Sequence, residues 1–436
     1  MCTIANVAKD VKRIWRHSFQ AELDSALEQH LRAHALIGVQ AALEAALVEE
    51  LLAARTAALT RHPGALADYY RSGTFQRRVI TRYGPIPDLH VPKLRQHNAI
   101  RTWQILARYQ QAMPQVLDTL CYFYTMGLSL RDLQEGLYVA FGGVLSPTAI
   151  NRVTLAAQAP MDAWRQQPIT DTPPVLIVDG VWVTLYHPTG ATWVDRSGHV
   201  RQRVRAVAQV ILAVMGVWAD GRHALIHYTI AATEDTTAWQ QVFQELDQRG
   251  LDAAAVQLVV SDGTKGLPDA MKTHLPHARR QRCTVHKVRG MERYLHYRDL
   301  PNQDPQTGQS VTPDVARQQR RTAISAAALA IFQAPTRVEA EQRLADFVAQ
   351  WAAVEPDAVK TFQRGLKHCF TFYQMDPALH PLVRSTNLLE RFFREFRTKA
   401  DEIGAFPNAT SCLTLFYLVM VREHAKHERI DIAKTG

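Results

Sequence analysis

Leu258–Lys287, LVVSDGTKGLPDAMKTHLPHARRQRCTVHK, opens on an aliphatic run that leads straight into a carboxylate at Asp262. So uniform an apolar run reads as a strand buried on both faces. Gly263, behind the acid, lets the chain turn or lets a ligand approach the backbone. A dense basic string follows at Arg279, Arg280, Arg282 and Lys287. A carboxylate at the end of a buried strand is costly to leave unpaired. Three readings compete for it: a helix cap, a structural ion pair, or a metal ligand.

Two other places in the chain bear on that choice. LIVDG, residues 176–180, repeats the pattern and ends on Asp179-Gly180, and STNLLERFFREF, residues 385–396, is helical in pattern and carries Glu390. Two strand-end aspartates converging with a helical glutamate make an all-oxygen site suited to Mg²⁺ or Mn²⁺. Two such ions sharing one aspartate can activate a water or a 3′-hydroxyl and stabilise the leaving oxygen of a phosphodiester. Taken singly, each acid also has an ordinary role. Asp262 can cap a helix at Thr264, Asp179 can pair with an arginine, and Glu390 can bridge to Arg394 one turn on.

The chain's 436 residues, 47% of them apolar, suit two or three globular domains. Its net charge of +9 suits a polyanionic partner. Five scattered cysteines, Cys2, Cys121, Cys283, Cys369 and Cys412, argue against a disulfide framework. Residues 1–18 lack a signal-peptide core, and the longest apolar stretch, Val210–Ala219, is too short to span a bilayer. A cytoplasmic protein with no membrane partner is expected.

Residues 19–59 have the Ala/Leu/Glu composition of long helices, suited to packing on a second copy or to closing a small domain. Tyr69–Arg95 reads as short strands turning at Gly84-Pro85. There Arg71, Arg77, Arg78, Arg82, Lys93 and Arg95 interleave with tyrosines and a phenylalanine, a pattern that suits phosphate contacts. Trp103–Trp164 reads as all helix and holds a helix-turn-helix pattern: Ser129 and Ser146 cap, Gly142-Gly143 turn, and Pro147 starts the second helix. Thr148, Asn151 and Arg152 then fall at the start of a recognition helix. After Pro173-Pro174 come three strand-like runs with a turn at Asp220-Gly221, then a helix capped at Asp235 or Thr236 and ended by Gly250. The Leu258 run adds a further strand, making a mixed α/β sheet. A helical region, 291–374, is broken by a polar loop at Leu300–Asp314. Trp182, Trp193, Trp218, Trp239 and Trp351 read mostly as core.

WQQVFQELDQRGLDAAAVQLVVSDGTKGLPDAM, then PHARRQRCTVHKVRG, and STNLLERFFREFRTKADEIGAFPN resemble the Mutator-type transposases of bacterial insertion sequences. So do YYRSGTFQRRVITRYGPIPDLHVPKLR and YTMGLSLRDLQEGLYVAFGGVLSPTAINRV, and the likeness runs from about Tyr69 to Asn408. The resemblance implies an RNase H-like α/β core, a mixed sheet with flanking helices, interrupted by an all-helical insertion. A helical N-terminal DNA-binding region with the helix-turn-helix would precede it.

The implied divisions are 1–65 (dimerisation or DNA binding), 66–170 (basic segment and helix-turn-helix), 171–290 (core with Asp179 and Asp262), 291–380 (insertion) and 381–436 (closing helices with Glu390). The implied triad is Asp179, Asp262 and Glu390, holding two Mg²⁺ or Mn²⁺ ions. The implied partners are double-stranded DNA, as terminal inverted repeats and target, and a second copy of the chain or a larger homo-oligomer. Further DNA contacts are expected from Lys265, Arg279, Arg280, Arg282, Lys287, Arg391, Arg394 and Arg397. Cys283 and His286 form the family's Cys-x-x-His signature, read as structural packing beside the site; a half zinc site is the alternative.

Overall fold

The structure is a computed structural model that describes residues 28–54, 56, 70–95, 114–125, 133, 157–301 and 310–435. The chain divides into two compact units, Met1–Thr154 and Leu155–Gly436.

In the first unit, helix α1 (28–54) lays Leu36, Val39, Leu43 and Leu47 against the hairpin of β1 (Tyr70–Thr81) and β2 (Gly84–Arg95). Alternation in the hairpin turns Val79, Ile86, Leu89 and Val91 into that core and leaves Arg78 exposed. The strands are 12 residues each, longer than expected, and the turn falls at Arg82-Tyr83 rather than Gly84-Pro85. Thr81 sets that position, its hydroxyl donating to Gly84 O at 2.8 Å and accepting from Tyr83 N at 3.2 Å. Helix α2 (Pro114–Thr125) follows. The segment expected to form the helix-turn-helix, with Thr148, Asn151 and Arg152, lies outside the described residues.

The second unit begins with α3 (Gln158–Gln166) and a five-stranded mixed sheet. Its strands are β3 (Val175–Val194), β4 (Val200–Val217), β5 (His223–Ala231), β6 (Leu258–Ser261) and β7 (Arg279–Arg282), in the order β5-β4-β3-β6-β7. β3, β4 and β5 pair antiparallel, while β6 and β7 join parallel to β3.

One face of the sheet, with Leu176, Val178 and Val259, packs under α4 (Thr236–Gln248) and α5 (Leu267–His274) through Trp239, Val242, Phe243, Leu246 and Met271. Asp235 caps α4 by accepting from Ala238 N at 2.9 Å, one of the two expected caps. The other face lies under α11 (Asn387–Ile403) and α12 (Ala409–Thr435), where Tyr228, Phe392 and Phe396 surround Phe416.

A helical block interrupts the sheet region between β7 and α11. It comprises α6 (Thr284–Glu292), α7 (Pro313–Ile331), α8 (Arg337–Trp351), α9 (Pro356–Gln363), three 3₁₀ turns and α10 (His380–Val383). It has its own apolar core, with Ile324, Phe332, Phe347, Phe362 and Phe370 among its buried residues. β7 was not visible in the sequence, where RRQR reads as a basic surface. Gln281, fully buried in it, explains the strand: its amide donates to Cys369 O and accepts from Phe372 N, both at 3.0 Å, and so ties the returning block to the sheet edge.

Candidate active site

The register of the central strands places the two aspartates. Ile177 of β3 lies opposite Val260 of β6, the last pair of that ladder. Asp179 and Asp262 each sit two residues further on, Asp179 still in β3 and Asp262 just past the end of β6, close enough for the charge of one to act on the other. Asp179 does not end its strand, as the sequence suggested, because β3 continues to Val194 paired with β4. It stands where the partner strand gives out.

Burial pushes the Asp179 carboxyl up to about 7, with the charge of Asp262 adding to the rise. Gly180 N donates to it at 2.9 Å. Asp262 accepts from Thr264 N at 2.9 Å and from the Thr264 hydroxyl at 2.7 Å, which closes a turn. The next helix starts only at Leu267, with Gly266 in the capping place, so Asp262 does not cap it. Gly263 has φ +113°, and a Cβ there would lie 2.8 Å from Arg282 Nε, so both backbone and space call for glycine.

A fourth acid, Glu234, joins the group. Its Oε1 lies 2.8 Å from the same Thr264 hydroxyl, and burial raises its carboxyl above the ordinary value. A Cβ at Gly180 would come within 3.2 Å of Glu234 Oε2 and 2.8 Å of Val210 Cγ2, so the glycine leaves room for the glutamate. Sequence reasoning missed Glu234 because Asp235 beside it accounts for the pair as a cap. The signal it carried was an acid just past the end of β5, a strand running the same way as β3.

Glu390 enters from the first turn of α11, the helix packed on the Asp179 face of β3. Its Oε1 accepts from the Thr386 hydroxyl at 2.8 Å and lies 3.7 Å from His286 Nδ1, and its Oε2 lies 3.4 Å from Arg289. These contacts, not Arg394, hold it. His286 sits among the groups: its pKa is raised to about 9, first by a hydrogen bond to Cys283 and then by the charges of Cys283, Glu390 and Asp179. Cys283 is fully buried; burial raises its thiol, but hydrogen bonds from His286 and Thr386 outweigh this and leave it below the ordinary value. Ligand atoms of Cys283, His286 and Glu390 lie within 4.8 Å of one another.

Asp179, Asp262, Glu234 and Glu390 offer carboxylate oxygens, the donor type that hard divalent cations take. Two strand aspartates carry no ion pair among the described residues, and one hydroxyl proton at Thr264 serves both Asp262 and Glu234. The positive charges at hand, His286 and Arg289, lie on the Glu390 side of the group.

Of the expected phosphate contacts, Arg391, Arg394 and Arg397 are exposed along α11 beside Glu390. Lys265 is exposed; Arg279 is exposed with Nη1 on Gln374 Oε1 at 2.6 Å, and Arg280 and Arg282 are half-buried. Arg78 and Arg82 are exposed on the hairpin, Arg77 is half-buried, and Arg71, Lys93 and Arg95 lie along its strands. Lys287 is not on this surface. It is buried, its ammonium donating to Thr361 O at 2.9 Å and Arg364 O at 2.7 Å, because the apolar positions of α6 turn it into the helical block. Trp239 is core as expected, but Trp182 and Trp193 are exposed.

The chain is similar to the transposase of insertion sequence element ISRM5 of Rhizobium meliloti (strain 1021), at 27% identity over 88% of this chain and 85% of that protein. It is also 27% identical to the transposase of IS406 of Burkholderia multivorans, over 79% of each. A more remote likeness, too slight to bear on the fold, is to the Drosophila P element transposase strand transfer complex, at 12% identity over 70% of this chain and 91% of that one, with TM-score 0.36. The sequence profile described as "Transposase, Mutator family" matches residues 15–305 and 310–429, so the chain belongs to the Mutator family of transposases.

Proposed function

We propose that this protein is a DNA transposase that binds the terminal inverted repeats of its own element, cuts the ends by phosphodiester hydrolysis and joins the 3′-hydroxyl to target DNA. The observation that carries the reading is the matched placement of Asp179 and Asp262, each two residues beyond the last β3–β6 pair, with His286 between them and Glu390. Three antiparallel strands followed by two parallel ones, with acids on the central pair, support an RNase H-like core. The helical block then corresponds to an insertion between the second acid and the third.

Asp179, Asp262 and Glu390 would hold two Mg²⁺ or Mn²⁺ ions, which supply an activated water or 3′-hydroxyl and charge for the leaving oxygen. The protein's own side chains do the rest. Thr264 and Gly180 fix the aspartates, Thr386 fixes Glu390, and the positive His286 keeps the carboxylates from repelling one another apart. Arg391, Arg394 and Arg397 receive the phosphate backbone, and Lys265 and the arginines of β7 extend that surface. Paired ends call for at least two copies of the chain, arranged about a two-fold.

A strand-transfer assay tests the reading. A duplex with the element's pre-cleaved 3′ end, target plasmid and Mn²⁺ should yield joined product with the wild-type chain and none with Glu390→Gln. Hydrolysis without joining would point to a nuclease, and joining by Glu390→Gln would refute the site.

A further inference from the structure

β3 and β4 run on together well beyond the sheet that anchors them. β6 leaves β3 after Ile177, β5 pairs with β4 only over Val210–Val217, and among the described residues the one further backbone pairing is the bridge of Leu185 to Phe406. From Tyr186 to Ala206 nearly every residue on both strands is exposed. A bare two-stranded ribbon is marginal in water, so one this long calls for a partner. Its tip is nevertheless built: Asp195 accepts from Ser197 N at 3.0 Å, His199 N at 2.9 Å and Arg201 Nε at 2.9 Å.

Alternation sorts the ribbon into two faces. Arg201, Arg203 and Arg205 share one, with Trp193 opposite Arg201 and His187 opposite Arg205. Arg196 stands at the tip. The ribbon's one acid, Asp195, is taken by Arg201, and Arg196, Arg203 and Arg205 have no carboxylate partner among the described residues. A side so basic, with an exposed tryptophan, complements a phosphate backbone better than it does a protein surface. A two-stranded ribbon also fits the major groove, which is about 12 Å wide.

We propose that the 186–206 ribbon is a DNA-binding arm whose arginine face grips duplex DNA away from the point of cutting. The proposal deepens the transposase reading and rests on it. The arginine face continues the alternation that carries Asp179, since Asp179 and His187 are eight residues apart on one strand. At about 3.3 Å per residue that is roughly 26 Å, or about eight base pairs at 3.4 Å each. The arm therefore reaches DNA nearly a helical turn from the scissile phosphate.

The test uses the full chain, a random-sequence 40-base-pair duplex and EDTA, so that binding is read without cutting. The triple variant Arg196→Ala, Arg203→Ala, Arg205→Ala removes exposed side chains and should keep the wild-type melting temperature. Three lost phosphate contacts should lower the slope of log affinity against log salt by about 2.7, and affinity at 0.1 M salt at least tenfold. The matching triple lysine variant should restore both, which separates lost charge from lost folding. Wild-type binding with an unchanged slope in the alanine variant overturns the arm but not the transposase reading. A wild-type chain that binds no duplex overturns both. An unchanged slope with lost self-association in sedimentation would assign the ribbon to an interface between copies instead.

Discussion

Divalent-ion binding at this site should release a proton, and the structure sets the pH at which it does so. The Asp179 carboxyl titrates at about 7, raised from 3.8 first by burial and then by the charge of Asp262. An ion can bind only the carboxylate, so the apparent affinity follows the ionised fraction. That fraction rises from about one in eleven at pH 6 to about ten in eleven at pH 8, a tenfold gain, or roughly 1.4 kcal/mol. Calorimetric titration of Mn²⁺ into the full chain, in buffers of different ionisation enthalpy, measures both affinity and protons released. About half a proton should leave per site at pH 7. The sign for stability follows from a folded pKa above the unfolded one: without metal, stability declines as pH rises from about 3.8 through about 7. Mn²⁺ should therefore raise the melting temperature more at pH 8 than at pH 6. Asp179→Asn should weaken binding and abolish the pH dependence of what remains. An affinity flat from pH 6 to 8, with no buffer dependence of the heat, would refute the reasoning.

Cys283→Ala should lower the His286 imidazole from about 9 toward its ordinary 6.5, followed by NMR titration. The stabilisation held by that raised imidazole is complete below about 6.5 and lost as pH rises through about 9, so the variant should flatten the stability profile in that window; an unmoved titration would mean the thiol is not the cause. Lys287→Met leaves Thr361 O and Arg364 O without their donor, at roughly 1–3 kcal/mol for each orphaned group. Urea unfolding should show that loss while the salt slope of DNA binding stays put; a fallen slope would return Lys287 to the DNA surface. Gly180→Ala forces a methyl against Val210 and Glu234 and should cost roughly 1–3 kcal/mol. Adding Val210→Ala should recover part of it, and no recovery would place the strain elsewhere.

The sequence was most legible where burial and pattern agree. The aliphatic runs before Asp179 and Asp262, the Asp235 cap and the helical pattern around Glu390 each obey a local rule, and each falls where that rule puts it. The misses share a cause: long-range contacts that composition does not encode. RRQR became a strand because Gln281 is tied to residues some ninety positions on. Lys287 reads as one more base in a basic string, yet its place on α6 turns it inward to two carbonyls. Glu234 was hidden beside a residue with an obvious task, and it takes Thr264 and the space left by Gly180 to show that it belongs to the site. Trp182 and Trp193 look like core in a list of tryptophans, but Trp182 lies beyond the last β3–β6 pair and Trp193 near the end of β3, where it pairs with β4 alone.

Anomalous diffraction at the manganese edge, from crystals of the full chain grown with Mn²⁺, tests the central claim most directly. Density should lie bound by oxygens of Asp179 and Asp262, with Glu390 completing the set at roughly 2.0–2.2 Å. Metal held instead by the Cys283 sulfur and His286, with the two aspartates bare, would contradict it.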